Sequence, residues 1–299
     1  MKKIAIICGG TSPEAEISRK SASAIANALK NLGYSVKILE LKKEIDLDLR
    51  KFSPDLIFPL LHGSPGEDGT VQGLLECLGF PYIGEGVKVS ALCMDKDWTK
   101  RLLESFGIDT PRWVAIKDKK ELPILEEWNS FPAVVKPANG GSSVGLRVVN
   151  NHSELKNTVF ELINISEKVL VEEFIEGREF TCGFAGGRIF TPLEIIPKKG
   201  LYDFETKYTK GLAEFKPVKS SLGEEIKSLT SKVVKALEIR NLCRVDFRYN
   251  PSNGKLFVLE VNTIPGMTET SLLPLMAKID GLTFEELIEL VISAKTFVD

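Results

Sequence analysis

The sequence predicts an α/β protein of three domains that opens with a parallel sheet. Three observations support this prediction. Short apolar strands alternate with helices through the first third of the 299 residues, strands joined by turn residues follow, and a hairpin and two helices close the chain. We place the domains at residues 1–84, 85–178 and 179–299.

The composition excludes several classes of protein. Hydrophobic residues make up 43% and charged residues 27%, which is typical of a soluble globular protein. The net charge of -2 does not favour binding to nucleic acid, and the apolar runs are too short to cross a membrane. We therefore expect no nucleic-acid partner and no membrane association. Five scattered cysteines without a C-x-x-C pair, and only two histidines, argue against zinc and favour the cytoplasm.

The elements of the first domain follow from local patterns. KIAIIC predicts a first strand rather than a signal peptide, because two glycines end the apolar run. A helix is predicted over residues 12–33, with Ser12 as N-cap, Pro13 at the first helical position and Gly33 as the stop. SVKILEL and DLIFPLL predict strands, and DGTVQGLLECLG a second helix. Ligands of such sheets bind beyond the carboxyl ends of the strands, here CGGTSPE and LHGSPGEDG.

The second and third domains have mixed patterns. VKVSALCMDKDWTKRLLESFG predicts one helix that leaves the first domain. PRWVAIK, FPAVVKP, VGLRVVN and KVLVEEFI predict strands, with a helix near SELKNTVFELI. The third domain begins with strands EFTCGFAG and RIFTPLEII. A polar loop over 198–217, a helix over 222–238, a hairpin over 242–261 and two closing helices follow.

The stretch VVKPANGGSSVG, residues 134–145, places Lys136 before a run of glycines. The P-loop pattern has its lysine after the glycines, so this stretch is a different device. It joins two antiparallel strands, and such a flap can fold its backbone N–H groups over phosphates while the lysine reaches a phosphate oxygen. A mobile hairpin tip explains the same residues equally well.

The hairpin CRVDFRYNPSNGKLFVLEVNTIPG carries alternating polar residues on both strands. They are Arg244, Asp246 and Arg248 on the first strand, and Glu260 and Asn262 on the second. A turn near Asn253 puts Asp246 opposite Glu260. Two carboxylates and an amide oxygen on one face suit Mg²⁺. The alternative is a solvated face on which the arginines form salt bridges with the carboxylates.

Two further segments are candidates for nucleotide contacts. VEEFIEGREF ends a strand at Glu172 and Glu173, and its backbone can pair with the polar edge of a nucleobase, although a surface turn is an equal alternative. KKGLYDFETKYTKG, residues 198–211, has the length and composition of a lid, and Lys207, Tyr208 and Lys210 would bring polar groups to a triphosphate. A solvated loop is the alternative.

Two residues lie at the ligand-binding edge predicted for the first sheet. His62 follows the third strand, where a structural and a functional role are equally open. Glu14 lies in the first turn of a helix. It either complements the helix dipole or holds an ammonium group.

Nearly the whole chain resembles D-alanine–D-alanine ligases of the ATP-grasp superfamily. The resemblance rests on motifs in the family's order: HGSPGEDGTVQG, MDK at 94–96, VVKPANGGSSVG, YDFETKY, RVDF and LEVNTIPGMTETSL. It implies a three-domain ATP-grasp architecture with ATP between the second and third domains. It also implies a cytoplasmic homodimer that makes D-alanyl-D-alanine for peptidoglycan precursors.

The resemblance also implies roles for individual residues. ATP would be bound by Lys96, Lys136, Ser142, Ser143, Glu172, Glu173, Ile175, Glu179 and Lys207, with Glu179 on the ribose and Lys207 on the γ-phosphate. Two Mg²⁺ ions, with Mn²⁺ as an alternative, would be bound by Asp246, Glu260 and Asn262. D-Alanine would be bound by Glu14, His62, Tyr202, Arg244, Ser271 and Leu272. Glu14, His62, Ser142, Tyr208, Arg244 and Gly266 would form the catalytic set, with Arg244 and the Gly266 amide on the oxyanion.

Three other functions are weaker. A ligase that forms D-alanyl-D-lactate would resemble this chain, but Tyr202 follows the dipeptide-forming pattern. A regulatory module that only binds ATP would be free to lose Arg244 and the metal ligands, which are all present here. A dinucleotide-dependent oxidoreductase lacks support, because CGGTSP follows the first strand in place of G-x-G-x-x-G.

Overall fold

The first sheet is parallel, as the alternating pattern predicted. The structure is a computed structural model, and it describes residues 2–12, 14–141, 144–198, 209 and 211–294. The strands of the first sheet, in spatial order, are β2 (Ser35–Glu40), β1 (Lys3–Cys8) and β3 (Leu56–Pro59). Its helices are α1 (Ala15–Asn31), α2 (Ile45–Phe52) and α3 (Thr70–Leu78). Helix α2 was not predicted.

The start of α1 corrects one prediction. Ser12 is not the N-cap, because α1 begins at Ala15 and Glu14 occupies the N-cap position. Ser12 instead closes a turn before the helix, where its Oγ accepts a hydrogen bond from the Glu14 N–H and its carbonyl accepts one from the Ala15 N–H. Pro13 lies outside the described residues. Gly33, at φ +85°, lies just past the helix end, as predicted.

The single helix predicted over 87–107 is wrong. The chain forms α4 (Val87–Met94) and α5 (Lys96–Ser105), separated by an extended Asp95. The Asp95 carboxylate accepts hydrogen bonds from two N–H groups of the first turn of α5 and pairs with Lys168 at 2.7 Å. Its backbone also bridges to Asn139, beyond the end of the Lys136 strand. This break places Lys96 at the start of a helix beside the glycine-rich stretch.

The second sheet is antiparallel and has four strands. In spatial order they are β4 (Trp113–Ile116), β7 (Val169–Glu173), β5 (Ala133–Pro137) and β6 (Arg147–Val149). Helix α6 (His152–Leu162) and a 3₁₀ helix over Lys119–Glu127, which was not predicted, pack together and against this sheet. Lys136 therefore lies on a central strand, at the end from which the glycine-rich stretch leaves.

The third sheet contains the predicted hairpin. Its main path runs β11 (Ala213–Pro217), β10 (Leu193–Pro197), β8 (Arg178–Ala185), β12 (Leu242–Asn250) and β13 (Lys255–Asn262), with β9 (Arg188–Ile189) beside β8. The helices are α7 (Ser221–Ala236), α8 (Leu272–Ile279) and α9 (Phe284–Ile292). The loop predicted over 198–217 is wrong at its end, because residues 213–217 form a strand that pairs with β10.

One buried cluster joins the two ends of the chain. Ile4 and Ile25 of the first domain pack in the same core as Leu193, Leu273 and Ile288 of the third. This packing brings the carboxyl edge of the parallel sheet next to the hairpin sheet. Among the described residues, no helix is long and apolar enough to span a membrane.

Candidate active site

A cleft lies between the second and third sheets. Eight of the residues predicted to bind ATP or metal line it: Lys96, Lys136, Glu172, Glu173, Ile175, Glu179, Asp246 and Glu260. They come from α5, from both antiparallel sheets and from the segment that crosses between the sheets. The structure thus brings the lysine of the glycine-rich stretch and the acidic hairpin to the walls of one cavity.

Lys136 is held by a buried carboxylate. Its Nζ lies 2.9 Å from Glu172 Oε2, and the other carboxylate oxygen lies 3.3 Å from Nζ of Lys100. Burial acts to raise the pKa of Glu172, but the two ammonium groups outweigh it and hold the pKa below its ordinary value. Burial lowers the pKa of Lys100 to about 8. Glu172 is therefore a charged link between a buried lysine and a lysine that faces the cleft.

The segment that crosses between the sheets forms another wall of the cleft. It runs from Glu173, at the end of β7, to Glu179 in β8. The Glu173 carboxylate accepts a hydrogen bond from the Arg112 N–H at 3.0 Å. Arg248 contacts the opposite end of the segment, where its guanidinium lies 3.1 Å from the Glu179 carboxylate.

The acidic hairpin has the predicted register, but it reaches that register through a bulge. Four residues join β12 to β13, and Asn250 pairs with Lys255 at the end of the hairpin. If this register continued along the strands without a shift, Leu259 would lie opposite Asp246. A register shift after Asp246 pairs it with Glu260 instead. The bulge therefore creates the carboxylate pair, because a one-residue slip turns every side chain to the other face.

Asp246 lies at the centre of a polar cluster. Its carboxylate accepts two hydrogen bonds from Arg244, at 2.9 and 2.8 Å, one from Thr181 at 2.6 Å and one from the Asn262 amide at 3.3 Å. Glu260 lies 3.7 Å from Lys96 Nζ. Both carboxylates are thus compensated by neighbouring cations.

The donor set fits a hard divalent cation. It consists of two carboxylates on facing strands and one amide side chain, and oxygen ligands of this kind are those that Mg²⁺ prefers. No group of three or more His, Cys, Asp or Glu side chains in the described part of the chain is arranged to hold a metal. Mg²⁺ prefers octahedral coordination and usually keeps several waters, so phosphate oxygens and water would complete the sphere that these three side chains begin.

A second cavity lies between the first and third domains. The predicted residues that line it are Glu14, His62, Arg244, Asn262, Gly266, Ser271 and Leu272. A small third cavity, lined by Lys96, Glu260 and Asn262 among others, shares lining residues with both this cavity and the first cleft. Gly141 lines all three cavities, and a Cβ placed on it would lie 3.3 Å from the Glu14 carboxylate. The base of the glycine-rich stretch therefore separates the first two cavities.

His62 and a second carboxylate form one side of the second cavity. The Nε2 atom of His62 is buried without a hydrogen-bond partner in the part of the chain that the structure describes. Glu67, which sequence reasoning missed, accepts a hydrogen bond from the Gly63 N–H at 2.7 Å and lines the same cavity. Burial raises the pKa of Glu67 above its ordinary value, against the opposing effect of His62.

The loop before α8 forms the opposite side. Ser271 is the N-cap residue of α8, and its Oγ accepts a hydrogen bond from the Thr268 N–H at 3.1 Å. The Leu272 N–H therefore belongs to the N-terminal turn of a helix, which favours a carboxylate ligand. A Cβ on Gly266 would lie 2.9 Å from Ser271 Oγ, so a side chain at Gly266 would disturb this loop.

Five of the predicted residues lie outside the described residues. They are Ser142, Ser143, Tyr202, Lys207 and Tyr208. Their assignments, and that of Lys210, stay predictions.

Sequence reasoning missed three residues of the site, Glu67, Lys100 and Thr181, and it named Arg248 only as part of the alternating face, without a role in binding. Lys100 carried a detectable signal, because it follows Lys96 by four residues and so lies on the same helix face. Arg248 carried one too, since it alternates with Arg244 and Asp246.

Comparisons with known proteins identify the family that the chain resembles along its length. The family model described as "D-ala D-ala ligase C-terminus" matches residues 102–293, and that described as "D-ala D-ala ligase N-terminus" matches residues 42–85. A D-alanine–D-alanine ligase from Aquifex aeolicus (strain VF5) is 47% identical over 292 residues, which are 97% of this chain and 100% of that protein.

Solved structures give the same result. A D-alanine–D-alanine ligase from Bacillus anthracis in complex with ATP has a TM-score of 0.83 and 31% identity, covering 98% of this chain and 96% of that one. The VanG D-Ala:D-Ser ligase from Enterococcus faecalis has a TM-score of 0.84 and 31% identity, covering 97% of this chain and 98% of that one.

Proposed function

The chain belongs to the D-alanine–D-alanine ligase family, and from this membership we infer that it joins two molecules of D-alanine at the expense of ATP. The product, D-alanyl-D-alanine, serves peptidoglycan precursor synthesis. One observation supports the inference most strongly: a cleft lined by two lysines and by the paired carboxylates Asp246 and Glu260 adjoins a second cavity with acidic and amide groups, and Gly141 lines both. This arrangement suits transfer of a phosphoryl group to a small carboxylic acid.

The nucleotide cleft positions ATP. Lys96 and Lys136 bind phosphate oxygens, and the glycine-rich stretch, with Ser142 and Ser143, covers them. Ile175 and the neighbouring Glu172 and Glu173 adjoin the adenine, while Glu179 binds the ribose. Glu172 holds the Lys136 ammonium at 2.9 Å and directs it at the cleft. Lys207 approaches the γ-phosphate from the lid.

Asp246, Glu260 and Asn262 would hold two Mg²⁺ ions, with Mn²⁺ as an alternative. Bound there, the ions neutralise charge on the transferred phosphoryl group. Arg244, which pairs with Asp246, provides donors at the boundary between the nucleotide cleft and the second cavity.

The second cavity binds the two amino acids. Glu14 accepts the ammonium group of the first D-alanine, and His62 lies near its carboxylate. An oxygen of that carboxylate attacks the γ-phosphorus of ATP, ADP leaves, and an acyl phosphate forms. The neutral amine of the second D-alanine attacks the acyl carbon, phosphate leaves with one former carboxylate oxygen, and the proton that the nitrogen loses goes to the departing phosphate.

Several groups of the chain stabilise this step. Arg244 and the Gly266 N–H donate to the oxyanion of the tetrahedral intermediate. Ser271 and the Leu272 N–H bind the carboxylate of the second D-alanine. Tyr202 and Tyr208 in the lid, together with Ser142, exclude water from the acyl phosphate.

We also propose the division into domains at residues 1–84, 85–178 and 179–299, a homodimer, and a cytoplasmic location. Equilibrium sedimentation tests the dimer. A second candidate activity uses D-serine or D-lactate as the second substrate, because the VanG structure, which matches the chain closely, is that of a D-Ala:D-Ser ligase. Competition between D-alanine, D-serine and D-lactate distinguishes these activities.

The experiment that tests the function is an assay with ATP, Mg²⁺ and D-alanine. We expect phosphate release and formation of the dipeptide in equal amounts. Folded protein that releases no more phosphate than a control without enzyme would contradict the function. A Glu260→Ala variant that keeps full activity with Mg²⁺ would contradict the metal site alone.

A further inference from the structure

Arg248 is the charged residue of β12 that reaches the crossing segment. Its Nε donates to the Ile175 carbonyl at 3.1 Å, and its Nη1 lies 3.1 Å from Glu179 Oε2. The guanidinium carbon lies 5.4 Å from the centre of the Phe174 ring. One planar group thus fixes the backbone, an aromatic ring and a carboxylate of the same wall, which a guanidinium can do because its donors have a rigid geometry.

The strand register dictates this contact. Arg248 in β12 pairs directly with Glu179 in β8, so their side chains share a sheet face. Both side chains are mostly buried, at 14% and 15% exposed, and both line the nucleotide cleft. An ion pair shielded to this degree restricts its carboxylate more than a surface pair does.

A second contact holds the same segment. Gly177 has φ +133°, and a Cβ there would lie 2.1 Å from the carbonyl oxygen of Tyr249, next to Arg248 in β12. The crossing segment therefore lies directly against β12 at Gly177 and is bonded to it by Arg248. A segment held at two points presents its groups to a ligand in one arrangement.

We propose that Arg248 is a positioning residue for the nucleoside part of ATP, which orients the Glu179 carboxylate towards the ribose hydroxyls and holds the Ile175 backbone at the base. This inference rests on the proposed function, which supplies ATP as the ligand. It adds a role for a residue that binds neither phosphate nor metal.

The test measures the binding of ATP with Mg²⁺, in the absence of D-alanine, by calorimetry. We expect Arg248→Met to raise the Kd of ATP about 10- to 100-fold, because two charge-assisted hydrogen bonds are lost. Arg248→Lys, which keeps the charge but not the planar donors, should lie between the wild type and Arg248→Met.

A change in the ligand separates positioning from a merely structural role. The wild type should bind 2′-deoxy-ATP or 3′-deoxy-ATP about ten-fold more weakly than ATP, since the carboxylate loses a hydroxyl partner. In Arg248→Met this discrimination should shrink to about two-fold. A structural role would weaken all three nucleotides equally and leave the discrimination unchanged, which would overturn the inference.

Arg178 provides a control on the same sheet. It pairs with Glu194 at 2.7 and 2.6 Å and lies over the Phe180 ring, but its side chain is more exposed than that of Arg248 and does not line the cleft. Arg178→Met should bind ATP within about two-fold of the wild type. If the wild type itself fails to bind ATP, the proposed function fails. If it binds ATP and Arg248→Met binds as tightly, only the inference about Arg248 fails.

Discussion

Glu172→Gln should destabilise the protein strongly, because it leaves two buried ammonium groups beside a neutral amide. Removing one partner of a buried ion pair costs about 3–5 kcal/mol. The loss of stability has an upper limit, because Lys100 can lose its proton and remain buried as a neutral amine. Removing a proton at pH 7 from a group of ordinary pKa 10.5 costs about 5 kcal/mol. Lys136 lies only 2.9 Å from the lost carboxylate, so the Kd of ATP should rise as well.

Chemical denaturation of four proteins tests this reasoning. Adding Lys100→Met to Glu172→Gln removes the surplus ammonium and should recover about half of the lost free energy of unfolding. Glu194→Gln, which breaks a pair with the exposed Arg178, should cost only about 0–1 kcal/mol. The reasoning is refuted if Glu172→Gln unfolds within 1 kcal/mol of the wild type, or if the double variant is no more stable than Glu172→Gln.

Three other variants test separate features by the same method. Glu85 is buried and accepts hydrogen bonds from the N–H groups of residues 240–242, so Glu85→Ala should cost about 3–5 kcal/mol and Glu85→Gln less. Burial lowers the pKa of Lys100 to about 8, so above that pH the unfolded chain holds a proton that the folded chain has released. Stability therefore rises with pH until about 10.5, and the wild type should gain about 2 kcal/mol relative to Lys100→Met between about pH 7.5 and 9.5. Gly177→Ala would place a Cβ 2.1 Å from a backbone oxygen, so it should lower the free energy of unfolding. The loss should be about 1–3 kcal/mol larger than for Gly187→Ala, where a Cβ meets nothing within 4 Å.

The sequence predicted the parts of the fold that local patterns determine. Alternation of strands and helices predicted the parallel sheet, and a turn near Asn253 predicted the pairing of Asp246 with Glu260, which the structure reaches through a bulge. The break at Asp95 was missed, because apolar periodicity runs through it and only distant partners, Asn139 and Lys168, hold the extended residue. Contacts between remote segments leave little trace in a local pattern.

The same limit applies to the site. The sequence identified lysines and carboxylates by type, but it did not show that Glu172 lies between two ammonium groups. Lys100 was missed because a helical lysine is ordinarily solvated. Arg248 was noticed only as part of an alternating face, and its contacts with the crossing segment depend on the pairing of β8 with β12.

The transfer of an oxygen atom tests the central claim most directly. D-Alanine labelled with oxygen-18 in its carboxylate is incubated with the protein, ATP and Mg²⁺, and the released phosphate is analysed by mass spectrometry. We expect each phosphate to carry one oxygen-18 atom, because the carboxylate oxygen that takes the phosphoryl group leaves with it when the amine attacks. Dipeptide formation accompanied by unlabelled phosphate would contradict activation of D-alanine as an acyl phosphate in this cleft.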